Sequence, residues 1–112
     1  MAQLETTVIA SSEVYARNHA AQSARVETLR ERIAAAAGGG RLEMVERHRN
    51  RCKLLVRERI DLLVDPGTAF LELSSLAAYG QYGGEVPGAG IVTGIGIIHG
   101  LPCMVIANDA TV

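Results

Sequence analysis

The segment 91–112 constrains the fold most, because it holds two aliphatic, largely β-branched runs separated by only two residues. Ile91–Ile98 is followed by His99-Gly100 and then by Leu101–Ala107. Two such runs with a two-residue connection that ends in glycine predict a β-hairpin. Since neither run alternates apolar with polar residues, we expect both faces of this hairpin to be buried, as in a sheet covered by helices.

Two glycines interrupt the first run, and the chain ends soon after the second. Gly94 and Gly96 lie on one face of the predicted strand, where the absence of a side chain lets a neighbouring element approach closely. Only Asn108–Val112 follows the hairpin. A hairpin buried on both faces needs more sheet and more covering helix than this chain supplies. We therefore expect the sequence to be a truncated part of a larger protein.

The chain divides into a charged, alanine-rich first half and a glycine-rich, aliphatic second half. All eleven Lys and Arg residues lie at or before Arg59, whereas nine of the twelve glycines follow residue 60. A short strand is predicted at Ala69–Leu73 and an irregular glycine-rich loop at 77–88. This division predicts an α/β fold in which helices precede the sheet.

Two helices are predicted in the first half. The run from Glu13 to Ala37 contains strong helix formers without Pro or Gly, with Ser11 or Ser12 as its cap and Gly38-Gly39-Gly40 at its end. A second helix is expected from about Leu42 to Leu63. Asp65-Pro66-Gly67 then predicts a turn with proline and glycine where a type II turn requires them.

Composition and termini exclude several classes of protein. No apolar run approaches the length of a membrane-spanning helix, and the N-terminus lacks the pattern of a secretory signal. Cys52 and Cys103 are too few for a disulfide scaffold. We therefore predict a cytoplasmic protein.

Two motifs suggest chemistry that their surroundings do not favour. Gly88–Gly94 is similar to a dinucleotide-binding glycine pattern, but a proline-containing loop precedes it and a β-branched run follows it. His48 and Cys52 are four residues apart on a predicted helix, but a zinc site needs three or four ligands. We predict neither a nucleotide site nor a metal site, and the isolated His19 and His99 indicate no catalytic grouping with serine and an acid.

The predicted helices raise the question of what they bind. Arg41–Arg59 holds seven basic and three acidic residues, but no aromatic residue for base stacking is interleaved with them. We predict a solvated or subunit-facing helix and no nucleic acid, with an anionic small molecule as the alternative.

His19 and Gln22 interrupt the apolar seam of the first helix, so we expect it to dock on a larger body of the same protein rather than form a coiled coil.

The segment Asn108–Thr111 directly follows the last predicted strand. Loops at strand ends in α/β folds are frequent ligand sites, which makes this segment a candidate edge of a binding site. An Asx-type turn that closes the strand is an equally good interpretation of the same residues. The pattern alone leaves both open.

A series of short motifs, in order and with consistent spacing, runs from Gly38 to Val112. Through these motifs about two thirds of the chain resembles the carboxyltransferase (β) subunit of biotin-dependent acyl-CoA carboxylases. Cys52 departs from the family pattern, which usually has Gly there, and Val56 departs from the methylcrotonoyl branch, which often has Pro there; both changes are expected to favour helix continuity. The motifs are Gly38-Gly39-Gly40, His48, Lys53-Leu54-Leu55, Arg57-Glu58-Arg59-Ile60-Asp61, Leu63, Asp65-Pro66-Gly67, Phe70-Leu71-Glu72-Leu73, Gly90–Gly96 and Ala107–Val112.

The resemblance implies a crotonase-type fold of repeated ββα units and transfer of a carboxyl group from carboxybiotin to an acyl-CoA. Tyr79, Tyr82 and Glu85–Gly88 are most similar to the methylcrotonoyl-CoA branch, which acts in leucine degradation; propionyl-CoA and geranoyl-CoA carboxylases are the alternatives. The resemblance further implies a partner α subunit that carries biotin carboxylase and the biotin carrier, and a hexameric core of β subunits.

In the family, backbone N–H groups of glycine-rich loops stabilise the enolate oxygen, and those loops lie beyond Val112. The resemblance therefore assigns no catalytic residue to this chain, which we expect to be inactive alone. It places the edge of the CoA pocket at Asn108, Asp109, Ala110 and Thr111. The expected organisation is a disordered tail at 1–12, a helical arm at 13–63 and the beginning of a carboxyltransferase domain at 64–112. A non-enzymatic interaction module is the alternative function.

Overall fold

A computed structural model describes residues 4–112. The chain divides into two units, Met1–Glu31 and Arg32–Val112, which are described separately. The predicted disordered tail falls partly on residues 1–3, which lie outside the described residues. Residues 4–12 contain neither helix nor strand.

Helix α1 (Glu13–Ala37) has the bounds that the sequence predicts. At its beginning, the backbone N–H of Tyr15 donates a hydrogen bond to Ser12 Oγ at 3.2 Å, which confirms Ser12 as the cap. Within the first unit the apolar stripe of α1 is not buried, since Val26 is 44% and Leu29 is 47% exposed.

The prediction of one helix from about Leu42 to Leu63 is wrong, because the structure has two helices there: α2 (Leu42–Asn50) and α3 (Val56–Leu63). Cys52 adopts a left-handed backbone conformation with φ of 56°, which cannot continue a right-handed helix. Helix α3 then begins where Glu58 Oε2 accepts a hydrogen bond from the Leu55 backbone N–H at 2.7 Å. The expectation that Cys52 and Val56 favour helix continuity is therefore also wrong.

Three antiparallel strands form one sheet in the order β1 (Leu71–Leu73), β2 (Ile91–Ile98) and β3 (Leu101–Asn108). The predicted hairpin is confirmed, with Ile98 paired to Leu101. His99 and Gly100 between them have φ values of 50° and 76°, as a two-residue turn that matches the strand twist requires. The loop before β2 includes two short 3-10 helices, at Tyr82–Gly84 and Pro87–Gly90.

The core lies between α3 and one face of the sheet. Val56 and Ile60 of α3 pack with Val92 and Val105, and each of the four is at most 7% exposed. Phe70 also packs against this cluster and occupies the space that Gly94 leaves open, because a Cβ there would meet the Phe70 ring. The predicted close approach at the strand glycines is confirmed.

The opposite face of the sheet is exposed in the described residues. Ile95 is 38%, Met104 is 59% and Ile106 is 72% exposed. Burial is thus confined to the face against α3, and the uncovered second face agrees with the expectation that this chain supplies too little covering helix for a hairpin buried on both faces. The mixed helix and sheet architecture agrees with the predicted α/β class. No helix within residues 4–112 is both long and apolar enough to cross a membrane.

Candidate functional site

The turn after β3 is held by its own side chains. The Asp109 backbone N–H donates to the Gly90 carbonyl oxygen at 2.8 Å, which joins the turn to the beginning of β2. Asp109 Oδ1 in turn accepts hydrogen bonds from the Thr111 backbone N–H at 2.9 Å and from Thr111 Oγ1 at 2.6 Å. Both donors converge on one carboxylate oxygen, as in the Asx-type turn that the sequence left open.

The same threonine connects this turn to the glycine run after α1. Thr111 Oγ1 accepts a hydrogen bond from the Gly40 backbone N–H at 2.9 Å, although the two residues are 71 positions apart. Glycine is required on the other side of the contact. A Cβ on Gly39 would lie 2.8 Å from Thr111 Oγ1, and a Cβ on Gly40 would collide with the Thr111 carbonyl group. The glycine run therefore ends α1 and also makes room for the turn.

A cavity of about 290 Å³ lies beside this contact and has Gly39 and Gly40 in its wall. The rest of the wall comes from the last turns of α1, from Arg41 and from the loop segments 76–80 and 84–88. Most of these residues are Ala, Gly, Val or Pro. An apolar concave wall with a few polar groups is typical of a small-molecule site.

The polar groups of the cavity are two arginines, a tyrosine and a glutamate. The Arg32 guanidinium lies over the Tyr79 ring, with Cζ 4.8 Å from the ring centroid, a cation–π arrangement. Arg41 forms an ion pair with Glu85, so its charge is compensated. Among the described residues, Arg32 has no carboxylate partner.

A second concave region, of about 490 Å³, lies between α3 and β3. Its wall includes Arg59 and Leu63 of α3 and the segment 105–108, so that Asn108 lies at its edge. Arg59 is exposed and has no carboxylate partner within the described part of the chain. This groove therefore combines a free guanidinium with the amide of Asn108.

Helix α3 is fixed to the neighbouring elements by Arg57. Its guanidinium donates to both carboxylate oxygens of Glu72 on β1, at 3.1 and 2.6 Å, and to the Ala37 carbonyl oxygen at the end of α1, at 3.2 Å. The Arg57 and Glu72 side chains are only 25% and 24% exposed, which reduces solvent screening of the pair. One arginine thus joins α3, the sheet and the end of α1.

Asp65 holds the hairpin turn from the outside. Its two carboxylate oxygens accept hydrogen bonds from the backbone N–H groups of His99 at 2.8 Å and Gly100 at 2.7 Å. The hydrogen bond from Gly100, and then that from His99, lowers the pKa of Asp65 below its ordinary value of 3.8. His99 is thus placed at a turn whose backbone is bound by a carboxylate.

The basic segment is partly neutralised by ion pairs. Arg49 donates to Glu58 Oε1 at 2.6 Å, and Arg41 and Arg57 pair with Glu85 and Glu72 as described. The Leu55 backbone N–H and then Arg49 lower the pKa of Glu58. Three of the seven basic residues in Arg41–Arg59 are therefore occupied, which weakens the field that a nucleic acid would experience.

The two weaker motifs are built into the scaffold. His48 Nε2 lies 3.0 Å from the Leu54 carbonyl oxygen, while Cys52 is exposed. The described residues contain no group of three or more His, Cys, Asp or Glu side chains arranged to hold a metal ion. Gly88 and Gly90 belong to a 3-10 helix that enters β2, whereas a pyrophosphate site needs a helix N-terminus at that point.

The four predicted site residues divide into two pairs. Thr111 is 3% exposed and Asp109 is partly buried, and both are used in internal hydrogen bonds. Asn108 and Ala110 are exposed. That the segment borders a CoA pocket stays a prediction. Sequence reasoning missed the Arg32–Tyr79 and Arg41–Glu85 pairs, because nothing in the sequence places the loop 76–88 beside the end of α1.

The chain is similar to known proteins of one family. Residues 47–112 match the carboxyl transferase domain family. The chain is 58% identical over 87 residues to the biotin-dependent 3-methylcrotonyl-coenzyme A carboxylase beta1 subunit of Mycobacterium tuberculosis, covering 78% of this chain and 16% of that protein. It is 50% identical over 102 residues to the mitochondrial methylcrotonoyl-CoA carboxylase beta chain of Arabidopsis thaliana, covering 91% and 17%.

Among solved structures, the beta subunit of geranyl-CoA carboxylase from P. aeruginosa is similar in fold and sequence. The TM-score is 0.80 at 38% identity, and the match covers 97% of this chain and 20% of that chain. The chain thus spans about one fifth or less of the length of these proteins.

Proposed function

Because the chain belongs to the carboxyl transferase domain family, we propose that it forms part of the carboxyltransferase (β) subunit of a biotin-dependent acyl-CoA carboxylase. The proposed reaction transfers a carboxyl group from carboxybiotin to an acyl-CoA. The observation that carries the proposal is the family match over 47–112, which includes the α3–sheet core and the turn after β3.

The substrate we propose is 3-methylcrotonoyl-CoA, and the product is 3-methylglutaconyl-CoA. The 58% and 50% identities to subunits named for methylcrotonoyl-CoA support this choice over geranoyl-CoA, whose carboxylase is 38% identical. In the reaction, a base removes a proton from the γ-carbon, a bond forms between that carbon and the carboxyl carbon, the bond between the carboxyl carbon and the biotin nitrogen breaks, and the biotin nitrogen takes up a proton. The described residues of this chain receive no catalytic role in these steps.

What this chain contributes, in our proposal, is one edge of the CoA pocket at Asn108, Asp109, Ala110 and Thr111. The groove at Asn108 supports it, because the exposed guanidinium of Arg59 supplies a positive charge for a phosphate group. Asn108 and Ala110 are exposed and available for contact, whereas Asp109 and Thr111 support the backbone behind them.

Biotin is proposed to reach this site on a partner α subunit that also carries biotin carboxylase, so that carboxybiotin acts as the second substrate. The biotin dependence in the name of the mycobacterial relative supports this arrangement. We further propose a hexameric core of β subunits in the cytoplasm. The plant relative is mitochondrial by name, which makes the mitochondrion the alternative compartment.

A substrate panel tests the proposal. The protein, in the length in which its source organism makes it, is combined with its biotin-bearing partner, ATP and labelled bicarbonate. We expect label to enter 3-methylcrotonoyl-CoA, with slower incorporation into geranoyl-CoA and propionyl-CoA, and none after avidin blocks biotin. Absence of incorporation into every acyl-CoA, while the partner still carboxylates its biotin, would overturn the proposed function.

A further inference from the structure

We infer that Asp109 and Thr111 are positioning residues for the acyl-CoA site: together with Gly40 they lock the turn after β3, so that its exposed residues are held in place. The inference rests on the proposed function and deepens it. It separates the four residues of the proposed pocket edge into two that face solvent, Asn108 and Ala110, and two that do not contact a ligand.

The polar side chains of Thr111 and Asp109 are already engaged in hydrogen bonds within the protein. Thr111 is the buried polar residue of the described chain at 3% exposure, and its hydroxyl both donates to Asp109 and accepts from Gly40. One carboxylate oxygen of Asp109 already receives two hydrogen bonds. A hydroxyl whose proton is donated within the protein and that is shielded from solvent is not available to a substrate, so its contribution is structural in origin.

The hydrogen bonds of Asp109 and Thr111 connect backbone segments that are distant in sequence. Thr111 lies on the turn that continues from β3, and Gly40 lies on the linker between α1 and α2. The Gly90 carbonyl adds the beginning of β2 through the Asp109 N–H at 2.8 Å. Three backbone segments that are distant in sequence are thus joined within one small hydrogen-bond network, and such networks hold irregular backbone in one conformation.

The hydrogen bonds of Asp109 and Thr111 lie next to the walls of both concave regions. Asn108 precedes Asp109 directly and lines the groove with Arg59, while Gly39 and Gly40 line the cavity beside the turn. If the Thr111 hydroxyl is removed, the Gly40 N–H loses its acceptor and both walls gain freedom. Substrate binding then carries the cost of ordering them, which raises KM more than it lowers kcat.

Two substitutions at one position separate the hydroxyl from the volume of the side chain. Thr111→Val keeps the size and branching of threonine and removes the hydroxyl, whereas Thr111→Ser keeps the hydroxyl and loses a methyl group. Asp109→Asn keeps an acceptor oxygen without the charge and is expected to fall between them. Thr68→Val is the matched control, because it removes a threonine hydroxyl that donates to the Asp65 carbonyl at 2.7 Å and that lines neither concave region.

Each variant is assayed in the complete carboxylase for KM of the acyl-CoA and for kcat, and hydrogen exchange of the Gly40 amide is measured in the same protein. We expect Thr111→Val to raise KM about tenfold, because the hydrogen bonds of the hydroxyl to Asp109 and from Gly40 are both lost, with kcat changed less than about threefold. Gly40 exchange accelerates in parallel. Thr111→Ser restores KM to within about twofold of the parent, and Thr68→Val leaves it unchanged.

The outcomes distinguish the inference from the function on which it rests. If the parent enzyme carboxylates acyl-CoA but Thr111→Val keeps the parent KM, whether kcat is unchanged or falls in step with lost folded protein, the positioning role is overturned. If Thr111→Val does not fold, an unchanged KM in Asp109→Asn together with faster Gly40 exchange has the same meaning. A parent enzyme that carboxylates no acyl-CoA overturns the proposed function and this inference together.

Discussion

Arg57 and Glu72 form a two-point ion pair that ties α3 to β1, with guanidinium nitrogens 2.6 and 3.1 Å from the two carboxylate oxygens. Planar, two-point pairing of this kind is specific to arginine. The remaining guanidinium nitrogen donates to the Ala37 carbonyl, so one side chain joins α3 and β1 to the last turn of α1. The pair borders the core on which the hairpin rests.

Replacing Arg57 tests how much this pair stabilises the fold. We expect Arg57→Ala to lower the free energy of unfolding by about 1.5–3 kcal/mol, because charge-assisted hydrogen bonds of a partly buried pair are lost. Arg57→Lys should recover less than half of the loss, since an ammonium cannot pair at two points. The measurement is urea-induced unfolding followed by circular dichroism.

Arg47 provides the control for this prediction. It is exposed on α2 and has no ion pair within the described residues. Arg47→Ala should change the free energy of unfolding by less than about 0.5 kcal/mol. Equal losses for Arg57→Ala and Arg47→Ala would show that the ion pair with Glu72 does not stabilise the protein.

The low pKa of Asp65 predicts a specific dependence of stability on pH. Because the Gly100 and His99 amides stabilise the ionised carboxylate, its contribution is fully present above the ordinary pKa of 3.8 and is lost as the pH falls from there through the lower folded pKa. Asp65→Asn should therefore reduce stability at neutral pH and flatten this part of the acid limb. Melting temperatures between pH 2 and 7 measure both effects.

Asp61 is the matched carboxylate, because it is exposed on α3 and has no hydrogen bond or ion pair within the residues that the structure describes. Asp61→Asn is expected to leave the acid limb unchanged. An Asp65→Asn variant with the same acid limb as the parent protein would contradict the role of Asp65 at the hairpin turn.

The two strand glycines predict different responses to a small side chain. A Cβ on Gly96 would lie 2.6 Å from Val64 Cγ1, whereas a Cβ on Gly94 would meet the Phe70 ring and lie 2.6 Å from the Leu71 backbone oxygen, with no Val64 atom among its nearest neighbours. Each alanine substitution should cost about 1–3 kcal/mol through overpacking. Because the nearest neighbour of a Gly96 Cβ is the Val64 side chain, shortening Val64 should relieve the strain of Gly96→Ala and not that of Gly94→Ala.

A double-mutant cycle with Val64→Ala checks this difference. The coupling with Gly96→Ala should be favourable by about 1 kcal/mol, while the coupling with Gly94→Ala should stay within about 0.5 kcal/mol of zero. Chemical denaturation of the single and double variants supplies the free energies. Equal coupling for the two glycines would contradict the packing of Val64 against Gly96.

The exposed sheet face predicts the behaviour of the 112-residue polypeptide on its own. Met104 and Ile106 are 59% and 72% exposed, which leaves an apolar patch that binds hydrophobic dyes and favours association. We expect the double variant Met104→Ser, Ile106→Ser to lower dye fluorescence and light scattering. Leu62→Ser is the control, since Leu62 on α3 is 75% exposed and lies outside the face. An equal decrease with Leu62→Ser would contradict a patch confined to the sheet.

Elements with strong local signals were predictable from the sequence. The bounds of α1 follow from its Ser12 cap and the glycine run, and the hairpin follows from two β-branched runs around His99-Gly100. The break between α2 and α3 was not predictable, because Cys52 carries no local signal for a left-handed conformation. The uncovered second sheet face agrees with the expectation that the chain supplies too little covering helix, whereas which face α3 covers was not predictable, since β-branched composition does not tell which face another element covers.

The candidate site shows the same division between local and distant contacts. The Asp109–Thr111 turn was one of the two interpretations that the local pattern left open. The hydrogen bond from Gly40 to Thr111 joins residues 71 positions apart, and the sequence contains no signal for it. Contacts of this kind depend on how the sheet and the helices pack, which is decided outside any local window.

The central claim, a carboxyltransferase acting on acyl-CoA, is tested most directly by the transfer half-reaction. The protein, in the length in which its source organism makes it, is mixed with a labelled carboxybiotin carrier and 3-methylcrotonoyl-CoA in the absence of ATP. We predict that label moves from the carrier to the acyl-CoA and appears as 3-methylglutaconyl-CoA. Label that stays on the carrier while the protein is folded and assembled would contradict the account.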